Sequence, residues 1–540
     1  MNAVRQPIDQ SSYEQTLKAL SVSQRGSYGD LSYMPVFRAS AIFYALCGAD
    51  INTRVGFLNY WREKNGLHNI GVLVTVRDAQ GIKQVRQYSR LMEATGHYDL
   101  AVMLGSRAEF SGSIELEFFS SEDLKFQFPG VTVFYQTPAG VSYVHTNQRV
   151  YNNAEDKARG CALNAWQTGF DVVASRGAFV YLVNGPSEFQ GGAADLVAIN
   201  ADGRIHSDQI DLPVLAPYAT HQFQPGLSSV LAAFLGDSPG MLKLNLPIQD
   251  IHLRLGVGHD VSTSKHQESQ MRADVGRWLS VTHSFFDATG QEDFFSTVDI
   301  DDDVCPAFIP FVLPAHSDLD LVLYPIYSPC TMRLSLTGFD ADGSKQFNLP
   351  LGNFQTPKDG VRRLDIRELL KQHRLSLSCS LFVLRFDSSD EQRLPNRITY
   401  GLNFHQSRHI GTNISASAYV VRSWAIGSRS WKWGAIVLSA GASNQVMVCA
   451  FKNRVWPAGA DTAVGSFCIY DRTGLVVHIP FVLKNQTSQI FSAEELLDCA
   501  NYAVSADAIV WYVVESPQAW LDVVGITVSA QGNVGGDHSF

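Results

Sequence analysis

The sequence predicts an all-β protein: four tandem antiparallel β-sandwich-like modules with short, partly helical connectors. Three observations carry this reading. The first is a short turn that recurs as Asp78-Ala-Gln-Gly81, Asn200-Ala-Asp-Gly203, Asp340-Ala-Asp-Gly343 and Asp471-Arg-Thr-Gly474. Each follows an apolar run. Asp or Asn starts such a turn because its short side chain bonds the backbone two residues on, and Gly ends it because only Gly takes positive φ without steric cost. A polar turn between apolar runs is a hairpin signal. The second observation is spacing. Successive turn glycines stand 122, 140 and 131 residues apart, longer than a solenoid repeat and matched to a small domain copied in tandem. The third is a shared landmark some 22 to 26 residues beyond each turn glycine. Asp365-Ile-Arg-Glu-Leu-Leu370 resembles Ser492-Ala-Glu-Glu-Leu-Leu497, with counterparts near Leu104 and Leu227. It reads as one turn of helix, or a loop, crossing the end of a sandwich.

In chain order, residues 1–37 are polar and Ser-rich and form an N-terminal arm, with a short candidate helix at Tyr13 to Leu20. Module one covers 38–151. Its strands include Ala39 to Leu46, Val55 to Trp61, Gly71 to Val76 and the alternating Ser113 to Phe119, whose period of two buries one face and wets the other. Residues 152–173, richer in Ala, Asn and charge, make a connector. Module two covers 174–266, and a second polar connector follows at 267–281. Module three covers 282–409 and module four 410–540, each with apolar runs of strand length on both sides of its turn.

Composition narrows the function class. Apolar residues make 45% of the chain and charged residues 17%, which suits folded cores rather than long disorder. A net charge of −10 argues against a nucleic-acid partner and an anionic membrane surface, both of which need a basic excess. No apolar run is long enough to span a membrane, and Met1 to Arg25 lacks a signal-like apolar core, so the default compartment is cytoplasmic, with a non-classical route to the surface left open. The eight cysteines form no CxxC pair and read as buried thiols in a reducing compartment.

The candidate chemistry begins with a histidine that keeps register with the turn. His145, His266, His405 and His538 lie 64, 63, 62 and 64 residues past their turn glycines, each read as following the last strand of its module. Three readings stand for it: a ring packed at a module junction, a contact to a polar ligand such as a sugar, or a metal ligand. One module supplies a single such His, so a metal would need histidines of neighbouring modules to converge. Asp299, Asp301, Asp302 and Asp303 form the densest acidic run, a candidate Ca²⁺ site on a loop or a solvated face. Trp431 and Trp433 share one side of a strand, either as core or as a stacking platform for sugar. Gly236-Asp-Ser238-Pro-Gly240 matches a nucleophile-elbow pattern but is followed by a strand where a helix is needed. Glu115 and Glu117 read as a wet sheet face.

The first functional reading is a non-catalytic recognition or assembly protein without a cofactor. It binds an extended partner, glycan or protein, through loops at the module ends. The alternatives are a metal-assisted enzyme with its site at a module interface, and a self-assembling shell or filament subunit.

Overall fold

The computed structural model describes residues 37–122, 124, 129–146, 167–168, 177–224, 229–236, 240–245, 253–260, 277–283, 285–286, 294–298, 305–315, 317–324, 330–356, 359–389, 392–395, 398–406, 411–420, 430–451, 460–503, 505 and 507–540. The fold is all-β, in several antiparallel sheets with a few short helices.

One arrangement of eight strands occurs four times. In copy four the strands are Ser430–Leu438, Ser443–Ala450, Thr462–Tyr470, Leu475–Lys484, Thr487–Ser492, Ala508–Ser516, Asp522–Val528 and Val534–His538. The fourth, third, sixth and first form one sheet, in that order. The fifth, second, seventh and eighth form the other. Copies one and three repeat both orders, beginning at Phe37–Cys47 and Ala307–Phe311. Copy two repeats them as well. Its first strand is the two-residue Gln167–Thr168, inside the stretch the sequence suggested as a connector, and its eighth is Leu279–His283.

The four turns sit where expected, between third and fourth strands. In each the Asp or Asn side-chain oxygen accepts from the backbone two residues on: Asp78 from Gln80, Asn200 from Asp202, Asp340 from Asp342 and Asp471 from Thr473. The glycines all have positive φ. The second landmark is a helix between the fifth and sixth strands of every copy: Leu100–Leu104, Ser229–Leu235, Ile366–Gln372 and Ala493–Cys499. Asp99, Asp365 and Ser492 cap three of them by accepting from the backbone three residues on. Tyr60 and Trp61, read from sequence as the end of a strand, belong instead to the short helix Tyr60–Glu63, capped by Asn59.

The copies close into a ring. The sheet carrying the first strand of one copy lays its outer face on the second strand of the next. Tyr44 of copy one stacks on Tyr181 of copy two at 4.9 Å. Val322 and Tyr324 of copy three belong to the core of copy two. Phe308 of copy three meets Phe451 of copy four at 4.8 Å. Trp433 and Trp511 of copy four meet Tyr60 and Phe134 of copy one at 4.9 and 6.4 Å.

The recurrent turn is the joint of this ring. A Cβ on Gly81 would overlap the Pro217 carbonyl of copy two, and Thr220 donates to the Ala79 carbonyl at 3.0 Å. Gly203 abuts Gly360 of copy three. A Cβ on Gly343 would overlap the Asn485 carbonyl of copy four, and Lys484 reaches Asp342 at 3.0 Å. The fourth turn returns to copy one: the Arg472 carbonyl accepts from Ala94 at 3.2 Å, and its guanidinium pairs with Glu93 at 2.5 Å. The contacts differ in detail, and a Cβ on Gly474 would meet nothing within 4 Å, but each turn meets the next copy head to tail and the last returns to the first, which makes a closed ring.

Ring closure also corrects the reading of Glu115 and Glu117 as a wet face. Glu115 is 1% exposed and sits 2.8 Å from Arg77, with Arg38 at 3.6 Å; Glu117 takes Arg38 at 2.9 Å. Tyr218 of copy two covers Arg77, 3.7 Å from its ring centre. The alternation holds, but copy two lies on the face that the period left to water.

Candidate functional site

The eighth strands, Gly140–His145, Leu279–His283, Ile414–Ser417 and Val534–His538, meet around the centre of the ring, each beside the next. Side chains tie them in a cycle. Ser142 accepts from the Val281 backbone at 3.0 Å, and Thr282 reaches the Ser415 hydroxyl at 3.5 Å. Thr412 donates to the Gly536 carbonyl at 3.1 Å, and Asn533 to the Ala139 carbonyl at 2.9 Å. Small residues allow the approach: a Cβ on Gly535 would overlap the Val141 carbonyl. The hub therefore consists of packed strands, and what it offers chemically gathers at the strand ends.

There the structure brings two of the four recurrent histidines together. His145 ends the eighth strand of copy one and His538 that of copy four; their rings are 4.4 Å apart, edge to face. Asp537 stands between the copies. Its Oδ2 accepts from the His145 backbone and from its Nδ1, both at 2.8 Å, and its Oδ1 accepts from the His538 backbone at 2.9 Å. His538 Nδ1 donates to the Ser539 carbonyl at 3.1 Å. Phe540 closes one side, 4.9 Å from the His145 ring and stacked on Trp433.

Burial decides the protonation here. Desolvation, then the nearby charge of Arg254, pushes His145 down to about 3, an effect the adjacent carboxylate opposes. Desolvation and the neighbouring His145 push His538 down to about 4, against the pull of Asp537. Both rings are neutral at physiological pH, so each keeps one lone pair. Two neutral imidazoles and a carboxylate can lock a junction by hydrogen bonds or offer a donor set to a metal ion.

His266, Asp299, Asp301, Asp302, Asp303 and Ser238 fall outside the described residues. His405 ends the seventh strand of copy three rather than the last, and its Nε2 lies 3.1 Å from Asp320. Long connections in copies two and three shift the count. The last strand of copy two ends at His283 and that of copy three at Ser417, so a fixed distance from the turn selects a different histidine. Trp431 and Trp433 are 8% and 4% exposed, packed on one another and on copy one, with Lys64 over both rings. Neither presents an open face for a sugar. Sequence reasoning did not single out Asp537, although its place beside His538 was the available signal. Arg254 was missed too: this wholly buried guanidinium donates to the His145 carbonyl at 3.2 Å and lies 4.6 Å from the Phe43 ring centre.

Among the described residues no helix is long and apolar enough to cross a membrane. No protein-family model and no curated protein matches the chain. Among solved structures it is similar to a tetra-tandem repeat in the extending region of a large adhesion protein, at 12% identity over 87% of this chain and 91% of that one, with a TM-score of 0.09. It is also similar to the native conformation of E. coli alpha-2-macroglobulin, at 11% identity over 91% of this chain and 28% of that chain, with a TM-score of 0.10. At these scores neither likeness carries an argument about fold or function.

Proposed function

We propose that this chain is a non-catalytic recognition or assembly protein. Its four copies form one rigid ring and hold their end loops in fixed relation, so that a glycan or protein partner meets several loops at once. The observation that supports this is the closure itself: the turn of each copy docks on the next, and that of the fourth on the first. Such a frame holds equivalent elements at set distances, and weak contacts so held gain strength through effective concentration. The helix between the fifth and sixth strands is one such element. It exposes Val102 in copy one and Val230 in copy two, at 78% and 58%.

A shell or filament built through sheet edges draws less support. The fourth strand ends its sheet in every copy. Lys83, Arg86 and Arg90 punctuate that edge in copy one, Asp208 and Asp211 in copy two, Pro350 in copy three and Pro480 in copy four. Charge and proline on an edge strand disfavour pairing with another chain.

The test is a glycan array and a protein cross-linking screen with the whole chain, repeated with Val102→Ser, Val230→Ser and both. The proposal expects a several-fold loss from each and a loss greater than their product from the pair. A bound partner indifferent to both, or catalytic turnover of that partner, contradicts it.

A further inference from the structure

The geometry points to a divalent transition-metal site formed by His145, Asp537 and His538, which would clasp the ring where its last copy meets its first. The donor atoms come from copies one and four and lie within 4.8 Å of one another. Three ligands on a tetrahedral ion at about 2.0–2.1 Å stand about 3.4 Å apart, so His145 must release the hydrogen bond from its Nδ1 to Asp537 and turn a lone pair toward the ion for the set to close. Imidazole and carboxylate donors suit zinc or cobalt. His538 already has the outer contact a ligating imidazole uses, its Nδ1–H resting on the Ser539 carbonyl, which directs the Nε2 lone pair elsewhere. The site is partly enclosed: His145 is 7% exposed with Phe540 against its ring and Trp433 stacked on Phe540, while Asp537 and His538 are half-buried.

The location supplies an independent argument. Three of the four joints lie between copies that follow one another in the chain. The joint between copies four and one has no such covalent link. The donor set occurs at this joint because Asp537 precedes the terminal residue of its strand, where the other three copies have Val144, Thr282 and Ala416. Arg254 and Lys432 bring positive charge near these rings, and one carboxylate offsets only one of them.

The test uses untagged whole chain stripped with chelator and dialysed against Zn²⁺ or Co²⁺. Expected are one equivalent of metal per chain, a Co²⁺ visible spectrum without a thiolate charge-transfer band, and a melting temperature that rises with Zn²⁺. His538→Ala and Asp537→Asn should each lower occupancy at least tenfold, while circular dichroism shows them folded. His478→Ala, on an outer strand, should change nothing. No uptake by the parent chain, uptake unaffected by His538→Ala, or a thiolate band would each overturn the assignment.

Discussion

Asp320 shows how single residues carry the architecture. It is 3% exposed and is held by the Arg363 guanidinium and by His405. Burial raises its pKa, but the His405 and Arg363 contacts outweigh burial and hold the carboxyl below the usual range. A carboxylate whose folded pKa is depressed stabilises the fold above its unfolded pKa. That stability disappears as pH falls through the folded value. Asp320→Asn should therefore lower stability at pH 7 by about 2–3 kcal/mol, toward the low end for a buried pair because Arg363 is 43% exposed. The deficit should begin to narrow below about pH 4, where the unfolded chain's carboxyl takes up its proton, and close as pH falls through the lower folded value. Thermal midpoints at pH 7 and pH 3.5 check this, and an equal deficit at both contradicts it. Neither this pairing nor that of His145 with Asp537 was legible in the sequence. Each joins residues distant in the chain, and spacing arithmetic fails wherever a loop lengthens.

Among the elements, the recurrent turn was the most legible, because its chemistry is local: an Asx oxygen, two residues and a glycine. Its task was not legible, since a turn in sequence carries no mark of what lies against it. The structure separates the two roles. Gly66 and Gly81 both have positive φ, but a Cβ on Gly66 meets nothing within 4 Å, whereas one on Gly81 would overlap the Pro217 carbonyl. Gly66→Ala should cost about 1 kcal/mol of backbone strain, and Gly81→Ala about 3 kcal/mol or more once displacement of the joint is added. Equal losses in thermal stability would remove the turn from its place as a joint. The fifth-to-sixth helix was legible as a recurrent landmark, one turn of helix or a loop, from the likeness of Asp365–Leu370 to Ser492–Leu497. The loss of the wet face at Glu115 was not, because the period of a strand says which residues share a side and leaves open whether a neighbour covers it.

At the scale of the whole molecule, copying was legible and closure was not. One core cluster joins Phe43 and Phe118 of copy one with Tyr181 of copy two and Trp433 and Trp511 of copy four. Copies that share a core should melt together. Trp433→Ala, which removes a buried indole from the joint between copies four and one, should cost about 3–5 kcal/mol. It should move one calorimetric transition as a whole; a scan that splits into independent transitions, with one displaced, would count against a shared core. The central claim is the closed ring, and small-angle X-ray scattering of the purified chain tests it most directly. A compact chain of 540 residues has a radius of gyration of about 24 Å, while four separate modules in a line exceed roughly 35 Å. The closed ring requires a value near 25 Å; one in the middle thirties or above would contradict it.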